Sequence, residues 1–267
     1  MAVSIPRTPE SVTGKQQRTP RAFEMVVDHV EQSVLQGSLK AGDRLPGERE
    51  LVNRFAVSRS SIREAMRVLE SSGVISTRPG DPRGAIILPP TSDPLRKLMT
   101  KLAVFSRSSL ADLLLYRMTL ESAASSLAAS RRSAGDLLEL EKAMARMTQC
   151  LELGLEEFSR ADLNFHDVVA RISRNPMIQI SGEAVRASIE DLIKGYLRES
   201  SEDRVLMHRT LHHHREVLEA IRSQDAHVAE HLARSSIFEY YGHLLGDSDR
   251  LAVAALASFG TPAGSVQ

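Results

Sequence analysis

Along residues 21–88 the apolar positions first recur every three to four residues and then alternate over short runs. Phe23, Val26, Val27, Val30 and Val34 fall on one helical face over 21–35, and Gly37 supplies a C-terminal stop. A loop, Lys40 to Pro46, leads to a second helix over 48–55. The tight segment Ala56-Val57-Ser58 precedes a third helix over 59–71, closed by Gly73. Ser58 is one N-cap for it; Ser61 with Glu64 forms a competing capping box, so its start stays open between the two. Val74–Arg78 and Ala85–Leu88 are short strand-like runs around Pro79 to Gly84, which predicts a hairpin. Helix, helix-turn-helix, hairpin is the order of a winged helix.

The segment Leu88-Pro89-Pro90-Thr91-Ser92-Asp93-Pro94 stops regular structure, and residues 89–93 suit a stiff linker. Helical periodicity resumes at once. It predicts helices near 94–106, 109–131, 134–153, 155–173, 176–198, 203–223 and 225–245, broken at Ser109, Ser133, Gly154, Asn175-Pro176 and Gln224-Asp225. With no strands among them, these apolar faces can be buried only helix against helix. The expected organisation is a disordered tail at 1–20, a winged helix-turn-helix at 21–88, the linker, an antiparallel all-helical domain at 94–246, and a tail at 247–267. The fold class is mainly α.

Composition sharpens this only locally. Across 267 residues, 34 Lys and Arg balance 34 Asp and Glu, so net charge selects no partner. Aromatics at 4% and the lack of Trp favour helices over sheets. Cys150 stands alone, which fits a reducing cytoplasm. The first twenty residues lack the apolar core of a signal peptide, and no run approaches a membrane span.

Inside this neutral chain, residues 54–67 hold four arginines and one glutamate, a net +3. Arg59, Arg63 and Arg67 share one face of the third helix, while Ile62, Met66 and Leu69 point to the core. Ser58, Ser60 and Ser61 gather at its N-terminus, where hydroxyls, free backbone N–H groups and the helix dipole suit a phosphate. Arg78 and Arg83 flank the glycine-bearing turn of the hairpin. An arginine stripe alone is usually a solvated face. Joined to helix-turn-helix spacing and a basic hairpin, it points to duplex DNA, because a guanidinium fork bonds guanine edges or phosphates bidentately.

The run Leu45-Pro46-Gly47-Glu48-Arg49-Glu50-Leu51, then Phe55 to Ala65, then Leu69 and Gly73-Val74-Ile75, resembles the DNA-binding domain of the GntR family. The resemblance implies that Arg49, Arg59 and Arg63 contact DNA and that Gly80 enters the minor groove. Pro79 stands just before it, where some members carry a polar wing residue.

In the helical region, Asp162 and His166 are four residues apart, and His214 lies in a run of three histidines. Such groups ligate Zn²⁺, Ni²⁺ or Mn²⁺, but an Asp/His pair at this spacing is more often a surface hydrogen bond, and a histidine triplet is often solvent-exposed. The stretches Arg117-Met118-Thr119-Leu120-Glu121, Asp162-Leu163-Asn164-Phe165-His166 and His214 to Ile221 with Asp225 resemble the FCD ligand-binding domain of FadR-type GntR regulators. That resemblance implies a bundle with a central cavity, often holding a metal on one Asp and three His. Asp162, His166 and His214 match three of those positions. The fourth falls at Ser236; His231 faces elsewhere, and Tyr240, one turn on, faces the same way. The site therefore has three protein ligands completed by Ser236 or water, or carries no metal. Arg117 matches a cavity arginine that pairs with an acidic effector; its other reading is a salt bridge to Glu121.

The expectation is a homodimeric cytoplasmic regulator of metabolic genes on a palindromic operator, a repressor released by an organic acid or acyl metabolite bound among Arg117, Asp162, His166, His214, Ser236 and Tyr240. Two rivals stand beside it: a metal-dependent enzyme on the Asp–His cluster, and a protein-interaction head.

Overall fold

The computed structural model describes residues 21–78, 84–105, 109–193 and 203–259. The chain divides into two compact units, Met1–Pro90 and Thr91–Gln267.

In the first unit, α1 (Ala22–Leu35), α2 (Glu48–Phe55) and α3 (Arg59–Ser71) precede two short strands, β1 (Ile75–Ser76) and β2 (Ile86–Ile87). Val26, Val30, Leu51, Ile62, Leu69, Ile75 and Ile87 fill one core, so each helix contributes a single apolar face. The start of α3 is settled in favour of Ser58, whose hydroxyl accepts from the Ser61 N–H at 3.1 Å. The strands pair antiparallel, Ile75 opposite Ile87 and Ser76 opposite Ile86, and are shorter than the sequence runs implied. What the pattern did not reveal is a third rung. The loop before α2 lies along β2: Leu45 N–H donates to the Ala85 carbonyl and Ile87 N–H to the Asp43 carbonyl. Gly84 makes this approach feasible. Its φ is +84°, and a Cβ there would lie 1.9 Å from the Leu45 carbonyl oxygen.

The second unit is all helix among the described residues: α4 (Asp93–Phe105), α5 (Leu110–Arg131), α6 (Ala134–Cys150), α7 (Leu155–Ile172), α8 (Pro176–Ile193), α9 (Asp203–Arg222), α10 (Ala226–Tyr241), a 3-10 turn (Gly242–Leu244) and α11 (Asp247–Ala257). Ser109 with Asp112 and Ser133 with Asp136 form reciprocal capping boxes, and Asp225 caps α10, which explains the breaks. The stretch expected to be a tail, 247–267, begins instead with α11. Asp247 and Asp249 complement its N-terminal dipole, and Val253 and Ala257, one turn apart, are buried.

α5 is central, packing on α7, α8, α9, α10 and α11. Two apolar clusters meet along it. One holds Ala124, Ala128, Phe165, Ile172, Leu211 and Ile221; the other holds Leu114, Met118, Val185, Ile189, Ile237 and Tyr241. Between Met118 and Ala124 lies Glu121, and with it a polar layer.

Candidate functional site

In the first unit, Arg49 on α2 and Arg59, Arg63 and Arg67 on α3 are exposed, opposite the buried Ile62, Met66 and Leu69. Nε of Arg63 lies 3.1 Å from Glu48 of α2, which steadies its stem. The hydroxyls of Ser60 and Ser61 lie 2.7 and 2.9 Å from that of Ser58, so the cap and its neighbours form one hydroxyl cluster at the helix start. Arg78 is exposed after β1; Gly80 and Arg83, with Pro79, lie outside the described residues.

The second unit brings together three of the predicted metal ligands. Asp162 and His166 project from α7 and His214 from α9. His214 Nε2 is 3.0 Å from Asp162 Oδ1 and 3.3 Å from His166 Nε2, which is 3.7 Å from Asp162 Oδ2. Donor atoms ligated tetrahedrally at about 2.1 Å would stand about 3.4 Å apart, so these spacings, taken to either Asp162 oxygen, have the size of a divalent-ion site.

The surroundings set the tautomers. His214 Nδ1 donates to the Thr210 carbonyl at 2.8 Å, and His166 Nδ1 faces the Glu121 carboxylate at 3.2 Å. Both Nε2 lone pairs then face Asp162 and each other. Although Asp162 Oδ1 is near His214, it is buried without an aligned hydrogen bond. Convergent lone pairs around an unsatisfied carboxylate oxygen repel one another unless a cation or proton lies among them, and Arg117 Nη2, 3.4 Å from His166 Nε2, relieves only part of that repulsion. The residues fit a divalent metal.

Beside this triangle stands Arg117, buried on α5. Its Nε donates to Glu121 at 2.8 Å, its Nη1 to the Tyr241 hydroxyl at 3.0 Å, and its Nη2 lies 3.4 Å from His166 Nε2. The two sequence readings of Arg117 thus coexist: it is bridged to Glu121 and it lines the cavity. Arg186 of α8, 3% exposed, backs Glu121 at 3.5 Å and also pairs with Asp167. Burial works to raise the Glu121 and Asp162 carboxyls, but Arg117 beside the first and the histidines beside the second hold both well below their ordinary range. Burial pushes His166 down to about 4, despite Glu121 and Asp162.

A cavity of about 550 Å³ opens from the triangle, lined by Arg117, Asp162, His166, His214, Ser236 and Tyr240 among others. That is the volume of a small metabolite site. Ser236 borders it but turns its hydroxyl to the Ala233 carbonyl of its own helix at 3.2 Å. Tyr240 borders it and packs on Tyr241 with ring centroids 4.5 Å apart. His231 does not border it. Sequence reasoning missed Tyr241, Arg186 and Thr210. One signal for Arg186 was available: Gly182 stands one turn before it, and a Cβ there would lie 3.2 Å from Arg186 Nη1.

The profile described as bacterial regulatory proteins, gntR family, matches residues 22–83, and the FCD domain profile matches residues 112–238. The chain belongs to the GntR family. This GntR-family chain is 28% identical over 237 residues to the Glc operon transcriptional activator of Escherichia coli (strain K12), covering 84% of this chain and 88% of that one. It is 29% identical over 238 residues to the transcriptional repressor NanR of Klebsiella aerogenes, covering 84% and 86%. It is 28% identical over 220 residues to the galactonate operon transcriptional repressor of Escherichia coli (strain K12), covering 80% and 93%. Among solved structures, Streptococcus agalactiae GntR matches 81% of this chain and 97% of its own with a TM-score of 0.63 and 26% identity. The protein is a DNA-binding transcriptional regulator with an FCD effector domain. The rival reading of an enzyme centre gives way, because these relatives are regulators. Among the described residues, no helix is long and apolar enough to cross a membrane.

Proposed function

We propose that this GntR-family protein is a FadR-type homodimeric repressor of metabolic genes, acting in the cytoplasm, whose helical domain holds a divalent metal and an organic acid. The observation that carries it is the triangle of Asp162, His166 and His214 facing the same cavity as Arg117. Asp162, His166 and His214 would hold the metal, with Ser236, water or effector completing the coordination. When bound, the metal supplies a Lewis-acidic centre for an anionic oxygen.

A charge count supports an anionic effector. Arg117 and Arg186 face Glu121, Asp162 and Asp167, one carboxylate in excess. A divalent ion reverses this to a single positive charge, which one carboxylate neutralises. Sugar acids and hydroxy acids fit both charge and volume, and the galactonate operon repressor is among the relatives.

Two protomers would set Arg49, Arg59 and Arg63 against successive major grooves of a palindromic operator, with Ser58, Ser60 and Ser61 on phosphate and Arg78, Gly80 and Arg83 at the minor groove. The proposed boundaries are 21–88 for the DNA head, 89–93 for the linker and 94 onward for the effector domain. Ligand would act through α8, which lines the cavity with Glu190 and Ile193 and grips α4, the helix after the linker, through Asp191 and Arg96 at 2.7 Å. α4 is loosely held: Ala103 is its one fully buried core residue, and Leu98, Leu102, Val104 and Phe105 are exposed. Effector shifts the equilibrium only by its differential affinity for the DNA-binding and released states.

The test is fluorescence anisotropy on a duplex selected by the wild-type chain, titrated with a panel of sugar and hydroxy acids including galactonate. At least one acid should weaken operator binding in the wild type and none should in Arg117→Ala. A panel without effect on the metal-loaded wild type overturns the proposal. The Glc operon relative is an activator, so the same panel reads a second sign: tighter binding would make effector a co-activator.

A further inference from the structure

Glu70 occupies the last turn of α3, and its Oε1 accepts two hydrogen bonds from a single residue: from the Thr77 backbone N–H at 2.9 Å and from the Thr77 hydroxyl at 2.6 Å. The chain reverses between them at Gly73, where φ is +76°, and Ile75 anchors β1 in the core at 1% exposure. Thr77 follows β1 and is followed by the exposed Arg78. The root of the wing is therefore fastened twice, by an apolar plug and by a carboxylate on the recognition helix.

A carboxylate is a costly choice there. Near the C-terminal end of α3 it meets the negative pole of the helix dipole, which disfavours a carboxylate. On a DNA-reading unit it also repels phosphates. Its two bonds to Thr77 compensate, and they hold the Glu70 carboxyl below its ordinary range.

We propose that Glu70 is a positioning residue for DNA recognition. By fixing Thr77 it sets where Arg78 leaves α3, so that the recognition helix and the wing root meet the duplex as one rigid piece. Glu70 itself does not touch DNA. The inference rests on Arg78 contacting the duplex, as proposed above, and is independent of the effector site.

The two physical accounts of Glu70 predict opposite signs. If only its charge mattered, Glu70→Ala would tighten operator binding. As a clamp, its loss should weaken binding about fivefold, the order expected for charge-assisted hydrogen bonds at an exposed site. Anisotropy with the full chain reads this directly. Thr77→Val should weaken binding and Thr77→Ser should restore it. In an Arg78→Ala background, Glu70→Ala should add nothing. Wild-type or tighter affinity in Glu70→Ala overturns the proposal, as does an undiminished loss in the Arg78→Ala background. Should Glu70→Ala fold poorly by circular dichroism, the Thr77 pair decides: equal affinities for Thr77→Val and Thr77→Ser contradict the clamp. If Arg78→Ala alone leaves affinity unchanged, Arg78 is no DNA contact and the clamp falls with it.

Discussion

Nη1 of Arg117 on α5 lies 3.0 Å from the hydroxyl of Tyr241 at the end of α10, with the guanidinium carbon 5.3 Å from the tyrosine ring centroid. The contact joins the charged layer to the apolar cluster that α11 completes through Val253 and Ala257. Tyr241, like Ile237, belongs both to this cluster and to the cavity lining.

Removing either partner should separate stability from sensing. Arg117→Ala removes the 2.8 Å partner of the buried Glu121, leaving it Arg186 and His166, and should cost about 1.5–3 kcal/mol in urea unfolding of the helical domain. Tyr241→Phe removes one hydroxyl bond and should cost about 1 kcal/mol, with a weakened but surviving response to acid. Equal losses in both variants would contradict these roles.

Protonation of His166 gives a signed pH dependence. Its pKa falls from 6.5 to about 4 on folding, burial outweighing Glu121 and Asp162. Between those values the unfolded chain carries a proton that the folded chain lacks, so stability rises with pH. Metal-free protein should lose stability as pH falls from 6.5 towards 4, and bound metal should steepen the loss because protons compete for its ligands. Urea midpoints that stay constant from pH 7 to pH 5 would contradict this.

The α4–α8 link should uncouple rather than blind the sensor. Arg96→Ala removes the 2.7 Å bond to Asp191, and Asp191→Asn neutralises its partner. Each variant should bind metal and acid as the wild type does, while the acid-dependent change in operator affinity shrinks severalfold. A full response in both variants would place transmission elsewhere.

On DNA, Arg59→Ala should cost ~1–3 kcal/mol of operator affinity if it reads a base, and Arg49→Ala should lower the salt dependence if it contacts phosphate. Unchanged affinity in Arg59→Ala removes it from the reading set.

Most of the fold was legible because its helices carry strong punctuation. Ser109, Ser133, Gly154 and Asp225 each mark an end, and the apolar period of 3.6 survives between them. The third rung against β2 was illegible because backbone groups of Asp43 and Leu45 make it, and side-chain pattern carries no record of such bonds. α11 escaped because only Val253 and Ala257 are buried, too narrow a stripe to stand out in an alanine-rich run. In the site, Asp162 and His166 were visible as a pair on one helix, and resemblance added His214. Arg186 and Tyr241 were invisible because each completes the layer from a different helix, and only packing brings α5, α8 and α10 together.

The metal triangle is tested most directly by calorimetric titration of Zn²⁺ into the metal-stripped full-length chain. One ion per chain should bind, and binding should vanish in the Asp162→Ala, His214→Ala double variant while the helical content stays unchanged. Absence of a saturable site in the wild type, or identical binding in the double variant, would contradict the account.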